Sequence, residues 1–228
     1  MPATTTQDFE IDPQFPLRGF SINPAAAPGN TDRRPSYDPT LELVLGDITH
    51  ETTDAIVNPV GPGLVDLAIR RGAGPDLLEA FHRRADELPE GKLLPGQAIV
   101  TPGYRLRAAH VIHCGPPVFD DDPERARQDL IACHRESLRL ARAAGWASVA
   151  FPAIGTGVYR YPAQEAAATV LDTIVSELRR HGAPSRVKIV LASPELLRLY
   201  LGAAAAATHG EFWLVERGAV FSGLQRES

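Results

Sequence analysis

The sequence predicts a three-layer α/β/α sandwich around a mixed, largely parallel sheet. From residue 40 to residue 208, short runs rich in Val, Ile and Ala alternate with longer stretches of helical period. The short runs are apolar on both sides, as strands covered by helices on both faces are. Most of the long stretches open on Pro or an acidic residue and close on Gly.

Each element has its own reason. "TLELVL" (40–45) alternates as a strand does, "GDIT" turns the chain, and "DAIVN" (54–58) is a buried strand candidate. "LVDLAIRRG" (64–72) reads as a short helix. "PDLLEAFHRRADEL" (75–88) is a second, with Pro at a first helical position and apolar residues at 77, 78, 81 and 85. "GQAIVTPGY" (96–104) and "AAHVIHCG" (108–115) are strands. The stretch from Asp121 to Gly145 is a helix with Leu130, Cys133, Ser137, Leu138 and Ala141 on one inward stripe. Strand 147–155, helix 162–182, strand 186–192 and a closing helix from Pro194 complete the alternation. Residues 1–39 are expected as an extension, partly disordered or laid over the domain, with one strand at 17–22. Residues 209–228 are expected to form one or two strands at 211–221, with the N-terminal extension as a candidate pairing partner.

Composition narrows the function. The net charge of −5 excludes a global basic field for nucleic acid. The two cysteines, Cys114 and Cys133, are too few for a disulfide framework and have no zinc-type spacing, so a reduced cytoplasmic setting is the default. No run approaches the ~20 apolar residues of a membrane span, and the N-terminus lacks the pattern of a signal peptide. Lysine occurs only at 92 and 188 while arginine, Ala, Pro and Gly abound, which points to a GC-rich bacterial genome.

Two stretches at strand ends carry chemistry, because open α/β sheets bind ligands beyond the carboxyl ends of their strands. "AIGTGVYRYP" (153–162) joins a strand to a helix, and Gly155 and Gly157 let the backbone approach an anion closely. Arg160 stands where a dinucleotide fingerprint needs a third glycine, so that cofactor is not indicated. "NPVGPGLVD" (58–66) packs two prolines and two glycines between an asparagine and an aspartate. His110 and His113 sit three apart on a strand and face opposite sides, a poor metal pair. His82 and His134 are expected as surface or boundary residues, and the arginines at 125, 127, 135, 139 and 142 as a solvated helix face.

"GDITHETTDAIVN", "VDLAIRRGAG", "GQAIVTPGYRLRAAHVIHCGPP" and "SVAFPAIGTGVYRYP", in that order, closely resemble the macrodomain family, in particular its MacroD-type branch of ADP-ribose-binding and hydrolysing modules. The resemblance implies ADP-ribose as ligand and no cofactor or metal. It implies that Asp47 accepts from the adenine amino group and that Ile48 offers a backbone N–H and an apolar wall. Gly155, Thr156, Gly157 and Val158 would wrap the diphosphate, and Tyr159 would pack on the distal ribose. Asn58 and Asp66 match the ends of the family's catalytic loop, with Gly63 and Val65 beside the ligand. His113 matches a histidine of a structural strand. The middle of that loop is shorter here, and the family's second asparagine falls at Gly61. Arg70 stands where the family often has histidine.

The expected reaction is water attack at the anomeric carbon of the distal ribose, with Asp66 orienting or deprotonating the water. The substrate would be mono-ADP-ribosylated protein, at acidic side chains. Two other readings remain open at this point: a non-catalytic ADP-ribose reader, and a hydrolase removing ADP-ribose from nucleic-acid bases, with arginines 70, 71, 105 and 107 meeting phosphates. The chain is expected to be a monomer.

Overall fold

The computed structural model describes residues 19–22, 39–207, 214–216 and 219–221. Nine strands and five helices follow one another among these residues: β1 (Gly19–Ile22), β2 (Thr40–Leu45), β3 (Ala55–Pro59), α1 (Leu64–Ala73), α2 (Asp76–Asp86), β4 (Ala98–Pro102), β5 (His110–Cys114), α3 (Pro123–Ala143), β6 (Ser148–Pro152), α4 (Ala163–His181), β7 (Arg186–Leu191), α5 (Pro194–Ala207), β8 (Leu214–Glu216) and β9 (Ala219–Phe221). A single 3-10 turn, Ile48–His50, interrupts the connection from β2 to β3.

The main sheet has the order β1-β2-β7-β6-β3-β5-β4. The five inner strands are parallel, and antiparallel β1 and β4 close its two edges. The sheet is therefore mixed and largely parallel, as the sequence predicts. The expected strand at 17–22 begins at Gly19, and residues 17 and 18 lie outside the described residues. The expected C-terminal strands pair with each other as β8 and β9, and β8 lies beside β1 without joining its sheet.

Alternation along the strands divides the core in two. Ala55 and Val57 of β3, Ile112 of β5 and Val149 and Phe151 of β6 pack under α3, α4 and α5. Ile56, Val111, Ala150 and Val190 face the other way, against Ile69 and Ala73 of α1 and Leu77 of α2. Far from the strand tips, Asp54 staples β3 to β6: its Oδ2 accepts from the N–H groups of Ala147 and Ser148 at 3.0 and 2.8 Å and from the Ser148 hydroxyl at 2.8 Å.

Helix ends follow local chemistry. Asp122 caps α3 by accepting from the Arg125 N–H at 3.0 Å, with Pro123 in the first turn. Gly182 ends α4 in the left-handed conformation at φ +64°. One expectation on α3 is corrected. His134 is fully buried rather than a surface residue, stacked on Phe151 at 5.1 Å with its Nδ1–H donating to the Leu130 carbonyl at 2.8 Å. His134 lies four residues from both Leu130 and Leu138, on the inward stripe itself, and the ring that receives it lies on a distant strand. The expected solvated arginine face holds for Arg125, Arg127 and Arg139, which pair with acids of their own helix, but not for Arg142, whose side chain is largely buried. Arg135 and Arg142 both reach the buried Glu177 of α4.

Candidate functional site

The carboxyl ends of the parallel strands carry the loops singled out above. Strand order sets them in a row: Asp47 follows β2, residues 153–162 follow β6, and residues 60–63 follow β3. β2 and β3 are three strand spacings apart, roughly 14 Å at ~4.8 Å each. That span suits an extended ligand with a base at one end and a sugar at the other.

At the β2 end, Asp47 opens the 3-10 turn. Its Oδ1 accepts from the Thr49 N–H at 2.9 Å and the Thr49 hydroxyl at 2.8 Å. The backbone bond from Thr49 holds this carboxyl below the usual carboxylate range. Asp47 is exposed, whereas the side chain of Ile48 is buried in the core with Ile56 and Ile69.

The loop after β6 is shaped by its own backbone. Tyr161 N–H donates to the Gly155 carbonyl at 3.0 Å, Arg160 N–H to the Gly157 carbonyl at 2.9 Å, and the Thr156 hydroxyl to the Ala153 carbonyl at 3.0 Å. Gly155 has φ +84°, and a Cβ there would come within 3.1 Å of Pro117 and 3.3 Å of Tyr161. Gly157 differs: a Cβ would meet no atom within 4 Å. Among the described residues, the N–H groups of Gly155, Thr156, Gly157 and Val158 meet no acceptor, and α4 begins shortly behind them. Free amides ahead of a helix N-terminus form an anion cradle.

The loop after β3 holds the polar centre. Asn58 and His113 are register partners on β3 and β5 and point to the α1–α2 face. Asn58 Nδ2 donates to Asp66 Oδ1 at 2.8 Å and to His113 Nδ1 at 3.2 Å. With Nδ1 accepting, His113 Nε2 carries the proton and donates to Thr101 Oγ1 at 2.8 Å; the Thr101 hydroxyl donates in turn to the Pro102 carbonyl at 3.2 Å. Burial pushes His113 down to about 3, which keeps the ring neutral and this chain of donors fixed. Asp66, on the first turn of α1, is 4% exposed, and its Oδ2 meets Arg70 Nη1 at 3.3 Å.

Tyr159 joins the two loops. Its hydroxyl donates to the Val60 carbonyl at 3.1 Å, and a Cβ on Gly61 would lie 1.8 Å from that oxygen. Gly63, the N-cap of α1, faces Val158 in the same way, with 3.8 Å between a Cβ there and Val158 Cγ2. Burial, and next the Asp66 charge, push the Tyr159 phenol up. Val65 is half-buried beside the α1–α2 core, while Val158 is exposed.

A cavity of about 340 Å³ opens on the other side of the short loop, lined by residues of that loop, of α1 and α2, and by His113. Leu78 and Phe81, expected on a buried helix stripe, are only half-buried because they face this space. The sequence signal could not separate a core-facing from a cavity-facing position. The site roles of His113, Thr101 and Phe81 were likewise missed. The one available signal was the alternation that puts residue 113 on the same face as residue 111.

Known proteins match this geometry. The Macro domain family model covers residues 57–170. The chain belongs to the macrodomain family. An Enterobacter protein named O-acetyl-ADP-ribose deacetylase is 41% identical over 167 residues, covering 71% of this chain and 92% of its own. A Streptomyces griseus macro domain-containing protein is 44% identical over 149 residues, covering 62% and 82% respectively. Among solved structures, the Oceanobacillus iheyensis macrodomain with ADP superposes with a TM-score of 0.72 at 38% identity, covering 75% of this chain and 93% of that one. A Trypanosoma brucei macrodomain in complex with ADP-ribose gives 0.60 at 31% identity, with 70% and 67% covered. The resemblance noted in the four motifs thus extends to the fold of this macrodomain.

Proposed function

We propose that this macrodomain binds ADP-ribose along the row of loops and hydrolyses esters of its distal ribose, releasing free ADP-ribose from mono-ADP-ribosylated acidic side chains. Asp47 takes the adenine amino group and the backbone N–H of Ile48 adds a donor. Gly155, Thr156, Gly157 and Val158 take the diphosphate, and Gly63, Val65 and Tyr159 bound the distal ribose.

The observation that carries the reading is Asp66, a buried carboxylate held from one side by Asn58 and from the other by Arg70. Water oriented by Asp66 attacks the anomeric carbon. The new C–O bond forms as the ester C–O bond breaks, and the side-chain carboxylate leaves with the bonding pair. Asp66 takes the proton from the water and returns it to solvent. The deacetylase name of the Enterobacter relative favours hydrolysis of an ADP-ribose ester over simple retention.

A reader function draws on one observation, the shortening of the catalytic loop at Gly61. Activity on nucleic-acid bases draws only on the exposed Arg70, Arg71, Arg105 and Arg107.

The test measures free ADP-ribose released from an ester-linked protein substrate. Wild type should release it, and Asp66→Ala should be slower by about 10²–10⁴, the range for removing a general base, with ADP-ribose affinity kept. Binding without release by wild type would leave the reader reading; faster release from modified DNA would favour the third.

A further inference from the structure

None of the residues proposed to hold the adenine or the diphosphate lines the cavity behind the short loop, whereas Asn58 and Asp66 of the proposed catalytic centre do. Its floor is Asn58, Asp66 and His113, all at most 4% exposed. Its wall on α2 is apolar, from Leu77, Leu78 and Phe81, and the exposed Pro62, Arg70 and His82 mark its mouth. No residue of the diphosphate loop lines it. Asn58 Oδ1 is buried and has no hydrogen-bond partner among the described residues.

Resting on the ester-hydrolase reading, we propose that this cavity is the leaving-group site and that it takes an acyl group well beyond acetyl in length. Size argues first. About 340 Å³ is at the lower bound of small-molecule sites and holds on the order of ten waters at ~30 Å³ each, far more than two carbons fill. Chemistry argues second. An acyl ester leaves as a carboxylate on an apolar tail. The cavity supplies a guanidinium at its mouth and an aliphatic and aromatic wall on α2. Arg70 spends a single 3.3 Å contact on Asp66, and a guanidinium has five N–H donors, so a leaving carboxylate finds donors there. A planar base fits less well, because Phe81 is tilted 47° against His113 at 5.1 Å and offers no parallel stacking face with it.

Binding decides this without turnover. ADP-ribose is compared by calorimetry with two analogues carrying an acetyl or a hexanoyl group on the anomeric carbon through an amide. The four added methylenes set a ceiling of about two-hundredfold at ~0.8 kcal/mol each, and a gain of at least about tenfold for hexanoyl over acetyl is expected. Leu78→Trp, which fills the cavity from a half-buried position, should bring that ratio close to one while ADP-ribose itself binds as before. Leu78→Ser is the second variant should the larger ring disturb folding, with the same loss of ratio expected. Equal binding of the two analogues to wild type, or a gain that survives both substitutions, overturns the proposal and leaves the ester-hydrolase reading standing. Failure of ADP-ribose itself to bind overturns both.

Discussion

Loop 153–162 is held chiefly by its own backbone, whereas loop 60–63, beyond the Val60 N–H bond to the Cys114 carbonyl, is held by a side chain reaching over from the first. Within 153–162, amides of residues 160 and 161 close on carbonyls of residues 157 and 155, and the N–H groups left over point to one place. Within 60–63, Pro62 limits the backbone to φ near −65° and the Tyr159 hydroxyl anchors the Val60 carbonyl. The first arrangement leaves free amides ahead of a helix N-terminus, where an anion is favoured. The second makes the proposed catalytic side of the site depend on a contact between residues 99 positions apart.

The largest expected effect comes from breaking the first loop's function without its fold. At Gly157 a Cβ would meet no atom within 4 Å, so Gly157→Val should leave the melting temperature close to that of wild type. ADP-ribose affinity should fall by about a hundredfold or more, because the branched side chain crowds bonds to phosphate worth ~1.5–3 kcal/mol each. Unchanged affinity in a calorimetric titration would remove Gly157 from the diphosphate site. Gly155→Val is the opposite case. It should lower the melting temperature, because φ is +84° and Pro117 and Tyr161 are already close.

Next comes the link between the loops. Gly61→Ala places a methyl 1.8 Å from the Tyr159 oxygen and 2.9 Å from Cζ, so the ring must swing away. Turnover should drop by about ten- to a hundredfold from misplacement on the order of 1 Å, and a second substitution, Tyr159→Ala, should recover part of it by freeing the space. Tyr159→Phe keeps the ring and loses one hydrogen bond of ~1 kcal/mol, so a loss of about fivefold is expected. Steady-state rates that treat Gly61→Ala and Tyr159→Phe alike would mean that ring position does not matter.

A separate effect, on stability rather than on binding or turnover, concerns two buried rings, one on β5 and one on α3. His113 is lowered to about 3 and His134 to about 4, both from 6.5 and both by burial. A folded value below the unfolded one means that the unfolded chain binds the proton first. The stability from each ring is therefore fully present above about pH 6.5 and is lost as pH falls toward 3 to 4. The slope is about 1.4 kcal/mol per pH unit per histidine. Urea midpoints between pH 7 and 4.5 should show this decline, and His134→Phe should remove about half of the slope. A slope untouched by that substitution would show that His134 does not titrate on unfolding.

Much of this could be read in the sequence, for reasons that differ by residue. Runs such as Ala55-Ile56-Val57 announce buried strands because both faces are apolar, and the motif around Gly155 to Tyr159 carries its own turn chemistry. The hydrogen bond from Asn58 to His113 could not be read, because it requires β3 and β5 to be neighbours in a particular register. The Tyr159–Val60 contact is equally tertiary, and so is the burial of His134 against Phe151. Asp66 was found through its place in a motif. What holds it, Asn58 below and Arg70 beside it, is a property of the fold.

The central claim is that the short loop, drawn over by Tyr159, still presents Asp66 to the distal ribose. A crystal structure with ADP-ribose tests it most directly. A water is expected within ~3.2 Å of the Asp66 carboxylate and about 3–3.5 Å from the anomeric carbon, with Tyr159 in place on Val60. An anomeric carbon beyond reach of any water on Asp66, with the diphosphate nevertheless bound by residues 155–158, would contradict it.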